Sequence, residues 1–264
     1  MDITYEIGLL AHKLRLLEKL GITVPLQGNF LDFGCGAGRT VAAATELGFE
    51  HTHGYDIKPY LEDELTKDER FKFNKPGNYI MPYTDDFFDF IVSDQVFEHV
   101  VDQNAAFREI YRILKPGGCC IHIIPAKYTP IELHINVPLG SIIGSRHWYK
   151  LWAMLGVRNE FQKDLSANEV ADRNAYYYVQ GLRYIGNSVY RVLWDEIGFK
   201  SDFVTKTYLE LSDYPKTRTI AKLAKVFPPA ISAIHTLHSR VVYLAKPTDT
   251  ENSDTGIGQH VNDS

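Results

Sequence analysis

Between residues 29 and 124, short strand-like runs alternate with helical ones, and this alternation restricts the fold more than any other feature. Asn29–Phe33 is an apolar run leading into glycines, Thr40–Leu47 is Ala-rich and helical with Gly48 as its stop, and His51–Tyr55 is a strand ending at Asp56. Arg70–Asn74 alternates and supplies a third strand. Phe87–Ser93 reads as a buried strand, Gln103–Leu114 as a helix closed by Lys115-Pro116-Gly117-Gly118, and Cys119–Ile124 as a fully apolar strand. Apolar strands separated by helices belong in a parallel sheet covered on both faces, with right-handed crossovers. The pattern resumes with helix Ile185–Ile197, capped by Gly198, then strands Lys200–Lys206 and Ser239–Lys246. Ahead of it all, residues 5–20 place Ile7, Leu10, Leu14 and Leu17 at helical spacing, with Gly21 as a stop.

Two stretches break the alternation. Residues 126–182 are rich in aromatics, His and Pro and show no clean period, so they are expected to be an insertion. Residues 208–238 hold a helical run, Ile220–Phe227, and a Pro228-Pro229 break. The tail, residues 247–264, is polar and expected to be disordered. Four of the five excess negative charges lie in it, at Asp249, Glu251, Asp254 and Asp263, so the body has almost no net field and no nucleic-acid partner is expected. Apolar residues make up 45% of the chain, enough for a sizeable core. The three cysteines, Cys35, Cys119 and Cys120, lack framework spacing, which points to a reducing compartment, and no Cys/His cluster has zinc spacing, so no metal is expected. With neither a basic leader at residues 1–8 nor a membrane-length apolar stretch, the expected location is cytoplasmic. Nothing in the sequence sets an oligomeric state.

The motif that carries chemistry is Leu31-Asp32-Phe33-Gly34-Cys35-Gly36-Ala37-Gly38, set between a strand and a helix. Glycines there let the backbone turn tightly and approach a ligand, at the place where nucleotide-like ligands bind an open α/β sheet. The third glycine comes one residue earlier than in a dinucleotide fingerprint, and Arg39 stands where that fingerprint needs glycine. Gly54-Tyr55-Asp56 follows about twenty residues on, placing a carboxylate where it can accept both ribose hydroxyl protons.

With Met81-Pro82-Tyr83, Phe88-Asp89-Phe90-Ile91-Val92-Ser93, Gln95-Val96-Phe97-Glu98-His99-Val100 and Leu114-Lys115-Pro116-Gly117-Gly118, this loop resembles the motifs of class I S-adenosylmethionine-dependent methyltransferases, of the type 11-like kind, over roughly residues 25–125. The resemblance implies an α/β fold: a doubly wound Rossmann-like sheet, mostly parallel with an antiparallel last strand, plus an inserted lid. It implies S-adenosylmethionine as cofactor and S-adenosylhomocysteine as product. At the matching positions Gly34, Gly36 and Gly38 would pack on the cofactor, Asp32 would orient its amino group, Asp56 would hold the ribose, Asn78 and Tyr79 would meet the adenine, and Ser93 and Asp94 would line the methionine part. The family's usual residue near 78 is acidic; Asn78 can accept the same bond without charge assistance.

The chain then divides into a cofactor-binding half with its N-terminal helix (1–125), an acceptor-binding lid (126–182), the rest of the sheet (183–246, with the helical insertion at 208–238) and the tail. Within the lid, Glu132 and His134 are two apart and share one side of an extended backbone. A His beside a carboxylate can serve as general base, and His134, oriented by Glu132, is the first candidate ahead of His99. Both can equally be structural hydrogen-bonding residues. The loop resembles one in methyltransferases of bacterial surface-polysaccharide synthesis, so the expected reaction is O-methylation of a small-molecule or sugar-type acceptor. Arg146, His147, Trp148, Tyr149, Trp152 and Tyr176-Tyr177-Tyr178 suit such an acceptor and equally suit the lid's own core. The run Lys216–Leu237 mixes basic and apolar residues and could touch a membrane surface, although a packed surface helix is the commoner outcome. The rival readings are a non-catalytic cofactor-binding protein and, less favoured because of Arg39, a nicotinamide-dependent oxidoreductase.

Overall fold

A computed structural model describes residues 2–57, 67–75, 77–132, 134–213, 239–248 and 250. The expected features at Ile220–Phe227, Pro228-Pro229 and Lys216–Leu237, and nearly all of the tail, lie outside the described residues.

Helix α1 (Thr4–Lys19) precedes β1 (Asn29–Phe33), α2 (Arg39–Glu46), β2 (His51–Asp56), β3 (Phe71–Phe73) and β4 (Phe88–Asp94). A 3-10 turn, Phe97–His99, leads to α3 (Gln103–Ile113) and β5 (Leu114–Pro125). After the insertion come α7 (Asn187–Ile197), β8 (Lys200–Phe203), α8 (Thr205–Glu210) and β9 (Ser239–Ala245). The seven-stranded sheet has the order β3-β2-β1-β4-β5-β9-β8. β1 pairs in parallel with both β2 and β4, β4 pairs in parallel with β5, and β9 runs antiparallel between β5 and β8. The sheet is therefore doubly wound and mostly parallel with an antiparallel last strand, as the resemblance implied. Its strand order reverses between β1 and β4, and ligands in such sheets bind beyond the carboxyl ends of those strands.

Each face of the sheet carries a core. On one, Ile91, Cys120 and Ile124 pack with Phe107, Ile110 and Trp194 of α3 and α7. On the other, Phe30, Phe90, Val92, Ile121 and Val241 pack with Leu10, Leu16 and Leu17 of α1 and Ala44 of α2. Phe88 and Phe90 would share a face in a regular strand, yet they face opposite cores. A register shift against β5 lies between them, the ordinary effect of a bulge. The three cysteines are buried and free. No described helix is long and apolar enough to cross a membrane.

Two expectations about elements need correcting. Strand β8 stops at Phe203 instead of Lys206, because Thr205 begins α8 and its hydroxyl takes the Val241 N–H. Residues 126–182 are also more regular than their composition suggests. They form a two-stranded ribbon, β6 (Ile131–Glu132) with β7 (Val137–Pro138), and the helices α4 (Gly140–Ile143), α5 (Arg146–Met154) and α6 (Ala167–Gln180). These pack on a small core of their own around Ile135, Val137, Tyr149 and Ala171. A capping box, with Ser166 and Glu169 each satisfying the other's backbone N–H, starts α6.

Candidate active site

The loop after β1 is built on glycines in the left-handed region, which a side chain would strain. Gly34 has φ 81°, and a Cβ there would meet Val96 Cγ2 at 2.4 Å. Gly36 has φ 48°, and a Cβ there would meet nothing within 4 Å, so its backbone faces open space. The Gly36 N–H donates to Asp56 Oδ2 at 2.8 Å, and the Ile57 N–H donates to Asp56 Oδ1 at 2.6 Å. Two adjacent strand ends are thus tied together, and the Asp56 carboxylate keeps acceptor capacity for a ligand.

The loop borders a cleft of about 270 Å³ at the carboxyl ends of β1, β2 and β4. Its walls include Phe33, Gly34, Tyr55, Asp56, Asn78, Tyr79, Gln95, Val96, His99 and Val100. The turn after β4 makes one wall, and Gln95 takes φ 56° there, a conformation that costs a non-glycine residue and is found at functional sites. Asn78 borders the cleft, but its Oδ1 already accepts the Ile80 N–H at 3.1 Å. Tyr79 packs against the core, and its hydroxyl takes the Asp102 N–H at 2.8 Å.

Asp32 of β1 is buried, and Asp94 at the end of β4 accepts from Lys13 Nζ through its Oδ2 at 2.6 Å. Lys13 comes from α1 and is fully buried. Burial, reinforced by the negative charge of Asp94 and Asp56, pushes the Asp32 carboxyl up to about 7, against the opposing pull of Lys13 and the Thr40 hydroxyl. Asp94 Oδ1 is buried and has no hydrogen-bond partner. Five of the expected cofactor residues, Asp32, Gly36, Gly38, Ser93 and Asp94, sit apart from the cleft walls. Ser93 is fully buried, with its hydroxyl 2.8 Å from His122 Nδ1 between β4 and β5, because the β4 alternation turns it inward. Gly38 caps the start of α2 at φ 72°.

His134 and Glu132 do meet. Glu132 is buried and accepts from the His134 N–H at 2.9 Å and the Ile135 N–H at 3.0 Å, while its Oε1 lies 2.7 Å from His134 Nδ1. A carboxylate only accepts, so Nδ1 carries the hydrogen and Nε2 is left pointing away. The His134 ring stacks edge-on against His99, with centroids 5.1 Å apart, and this joins the inserted segment to the cleft. Burial pulls the His134 pKa down, but the hydrogen bond to Glu132 and the negative charges of Glu132 and Glu98 outweigh it and hold the ring up at about 9. Glu98 joins the expected His134, Glu132 and His99 here. Its signal was present as the acidic neighbour of His99, but 35 residues separate that pair from His134, and only the fold brings the three together.

The sequence pattern of a methyltransferase domain matches residues 6–177, well over half of the chain. The chain belongs to the class I S-adenosylmethionine-dependent methyltransferase family. It is 29% identical over 113 residues to phosphoethanolamine N-methyltransferase 2 of Caenorhabditis elegans, a match spanning 40% of this chain and 25% of that one. It is 28% identical over 194 residues to demethylmenaquinone methyltransferase of Lactobacillus johnsonii, spanning 69% and 72%. The first-ranked curated relatives are matched over only 25% to 42% of their length. Among solved structures, the Bacillus protein YcgJ shares the fold, with a TM-score of 0.51 at 15% identity, over 92% of this chain and 99% of that one. The methyltransferase pattern ends at residue 177, so it takes in most of the inserted segment as well as the cleft.

Proposed function

We propose that this chain transfers the methyl group of S-adenosylmethionine to an oxygen of a small-molecule or sugar-type acceptor. The observation that carries this reading is the His134–Glu132 pair, which the inserted segment holds beside His99 at the mouth of the cleft. The cleft suits the cofactor: Gly36 presents bare backbone to open space, and Asp94 Oδ1 is a buried acceptor awaiting a donor. In this reading Asp56 takes the ribose hydroxyls, Tyr79 and Asn78 flank the adenine, and Asp32 with Asp94 meets the ammonium group. Asn78 would contribute through its amide hydrogens, since its oxygen is engaged. Ser93 and Gly38 would act from behind, by packing. When bound, S-adenosylmethionine supplies a methyl on a sulfonium, ready for in-line displacement.

The chain's own work is to orient the acceptor and handle its proton. Residues 126–182 would form the acceptor lid, with His134 on the acceptor hydroxyl and Glu132 fixing the ring. With its pKa raised by the two carboxylates, the ring accepts the hydroxyl proton only in its neutral form, which a positive charge brought in beside it would favour. The test is S-adenosylhomocysteine formation with a panel of hydroxylated, amine and carbon acceptors. Turnover with a hydroxylated acceptor is expected, and His134→Ala should lower it by roughly 10²–10⁴ with cofactor affinity unchanged. Turnover confined to amine or carbon acceptors would overturn the oxygen assignment.

A further inference from the structure

Glu98 is 1% exposed, and neither of its carboxylate oxygens has a hydrogen-bond partner. A buried carboxylate without a partner is costly and calls for a positive group. Two imidazoles face it. His99 Nε2 and His134 Nε2 each lie 3.8 Å from Glu98 Oε1, too far for a hydrogen bond. The nearby cation, Arg240, donates its hydrogen bonds to Ile185 O, Asn187 Oδ1 and Pro125 O, and none to Glu98.

Both rings are fixed from behind. His134 Nδ1 is held by Glu132 at 2.7 Å, and His99 Nδ1 by the Gly181 carbonyl at 3.1 Å. Each acceptor keeps a hydrogen on Nδ1 and turns Nε2 toward Glu98, so a cation binding there would displace any proton on Nε2. A carboxylate or backbone carbonyl behind the ring is the arrangement that orients metal-ligating histidines. The three donor atoms lie within 4.8 Å of one another. Donors about 2.0–2.2 Å from a shared cation lie about 3.0–3.5 Å apart at octahedral or tetrahedral angles, so the trio would have to draw in by up to roughly an ångström to close on it. Among the described residues no other trio of His, Cys, Asp or Glu side chains comes this close.

We propose that Glu98, His99 and His134 bind a divalent first-row transition cation beside the cofactor cleft. Two imidazoles and one carboxylate suit Mn²⁺, Fe²⁺ or Zn²⁺, whereas Ca²⁺ and Mg²⁺ prefer oxygen ligands. Three protein ligands leave positions open for oxygen. Resting on the oxygen-acceptor reading above, but with His134 as a ligand in place of a base, the cation's role would be to take the acceptor hydroxyl as a ligand and lower its pKa. The hydroxyl proton then passes to water, and the oxygen remains as a metal-held nucleophile.

The experiment uses the full chain, stripped with a chelator, dialysed free of it and titrated separately with Mn²⁺ and Zn²⁺ by calorimetry. Bound metal is counted by elemental analysis. One cation per chain is expected, with affinity at least tenfold weaker in Glu98→Gln and in His134→Ala; circular dichroism confirms that both variants fold. Co²⁺ bound to the native chain should show absorption bands that His134→Ala abolishes. Absence of binding by the native chain, or binding that survives both substitutions unchanged, overturns the site. The two readings separate cleanly. Cation binding without methylation of any hydroxylated acceptor removes the oxygen-acceptor reading and leaves the site. Hydroxyl methylation at an undiminished rate under chelation removes the cation's role and leaves that reading.

Discussion

Two glycines two residues apart in the same loop have different reasons to be glycine. Gly34 is closed in by Val96, whereas Gly36 opens onto space. Gly34→Ala should therefore destabilise the fold, by about 1–3 kcal/mol from overpacking on top of left-handed backbone strain. Gly36→Ala should cost only the strain, about 1–2 kcal/mol, and lose cofactor affinity, because its methyl group would occupy the open space that the loop backbone faces. Thermal melts with S-adenosylhomocysteine titrations separate the two; equal loss of stability in both variants would contradict this account. Asp32 makes a prediction about pH. Its pKa is raised to about 7 in the folded chain, so it favours folding most at low pH, and that contribution is lost as pH rises through 7. A ligand ammonium needs the ionised form, so binding below 7 must expel a proton. Affinity for S-adenosylhomocysteine should climb by up to about tenfold per pH unit below 7 and level off above it. Asp32→Asn should flatten the profile, and a flat profile in the native chain would rule Asp32 out as the ammonium partner. The groups facing Asp32 are Asp94, Asp56, Lys13 and Thr40.

Helix α1 owes its position to more than its apolar stripe. Besides Leu10, Leu16 and Leu17 it buries Lys13 against Asp94, and His12 stacks on Tyr208 with ring centroids 4.1 Å apart. Lys13→Met should cost on the order of 2–3 kcal/mol, less than a fully enclosed pair, because Asp94 remains 30% exposed. It should also weaken cofactor binding by releasing the Asp94 carboxylate. Unfolding in denaturant together with calorimetry checks both effects; an unchanged midpoint would mean the pair contributes nothing. In the inserted segment, α6 depends on its capping box, so Ser166→Ala should cost about 1 kcal/mol. For a chain of this size that is a drop of about 2–4 °C in the melting temperature. The box is spelled Ser166-Ala167-Asn168-Glu169 and was legible in the sequence. It was masked because α6 is capped as a helix yet buries only Val170, Ala171 and Asn174, with aromatics on its more open faces, so no apolar stripe announced it.

For the whole molecule, ligand binding should report as stability. S-adenosylhomocysteine at a hundred times its dissociation constant adds about 2.7 kcal/mol, whereas NAD should add nothing. A melting shift with NAD and none with S-adenosylhomocysteine would overturn the cofactor reading. The sequence by itself determined the sheet, the crossovers and the glycine loop with Asp56 beyond it. Strands, helices and caps are local patterns in which each residue's preference agrees with its neighbours', and the cleft wall at Gly34 and Asp56 follows from strand ends that chain order places side by side. Tertiary structure decided what depends on distant pieces meeting. The β4 register turned Ser93 into the core, α1 brought Lys13 to Asp94, and the inserted segment carried His134 across to Glu98 and His99. None of these has a local signature, because a side chain's partner from another element leaves no periodicity in its own stretch of sequence.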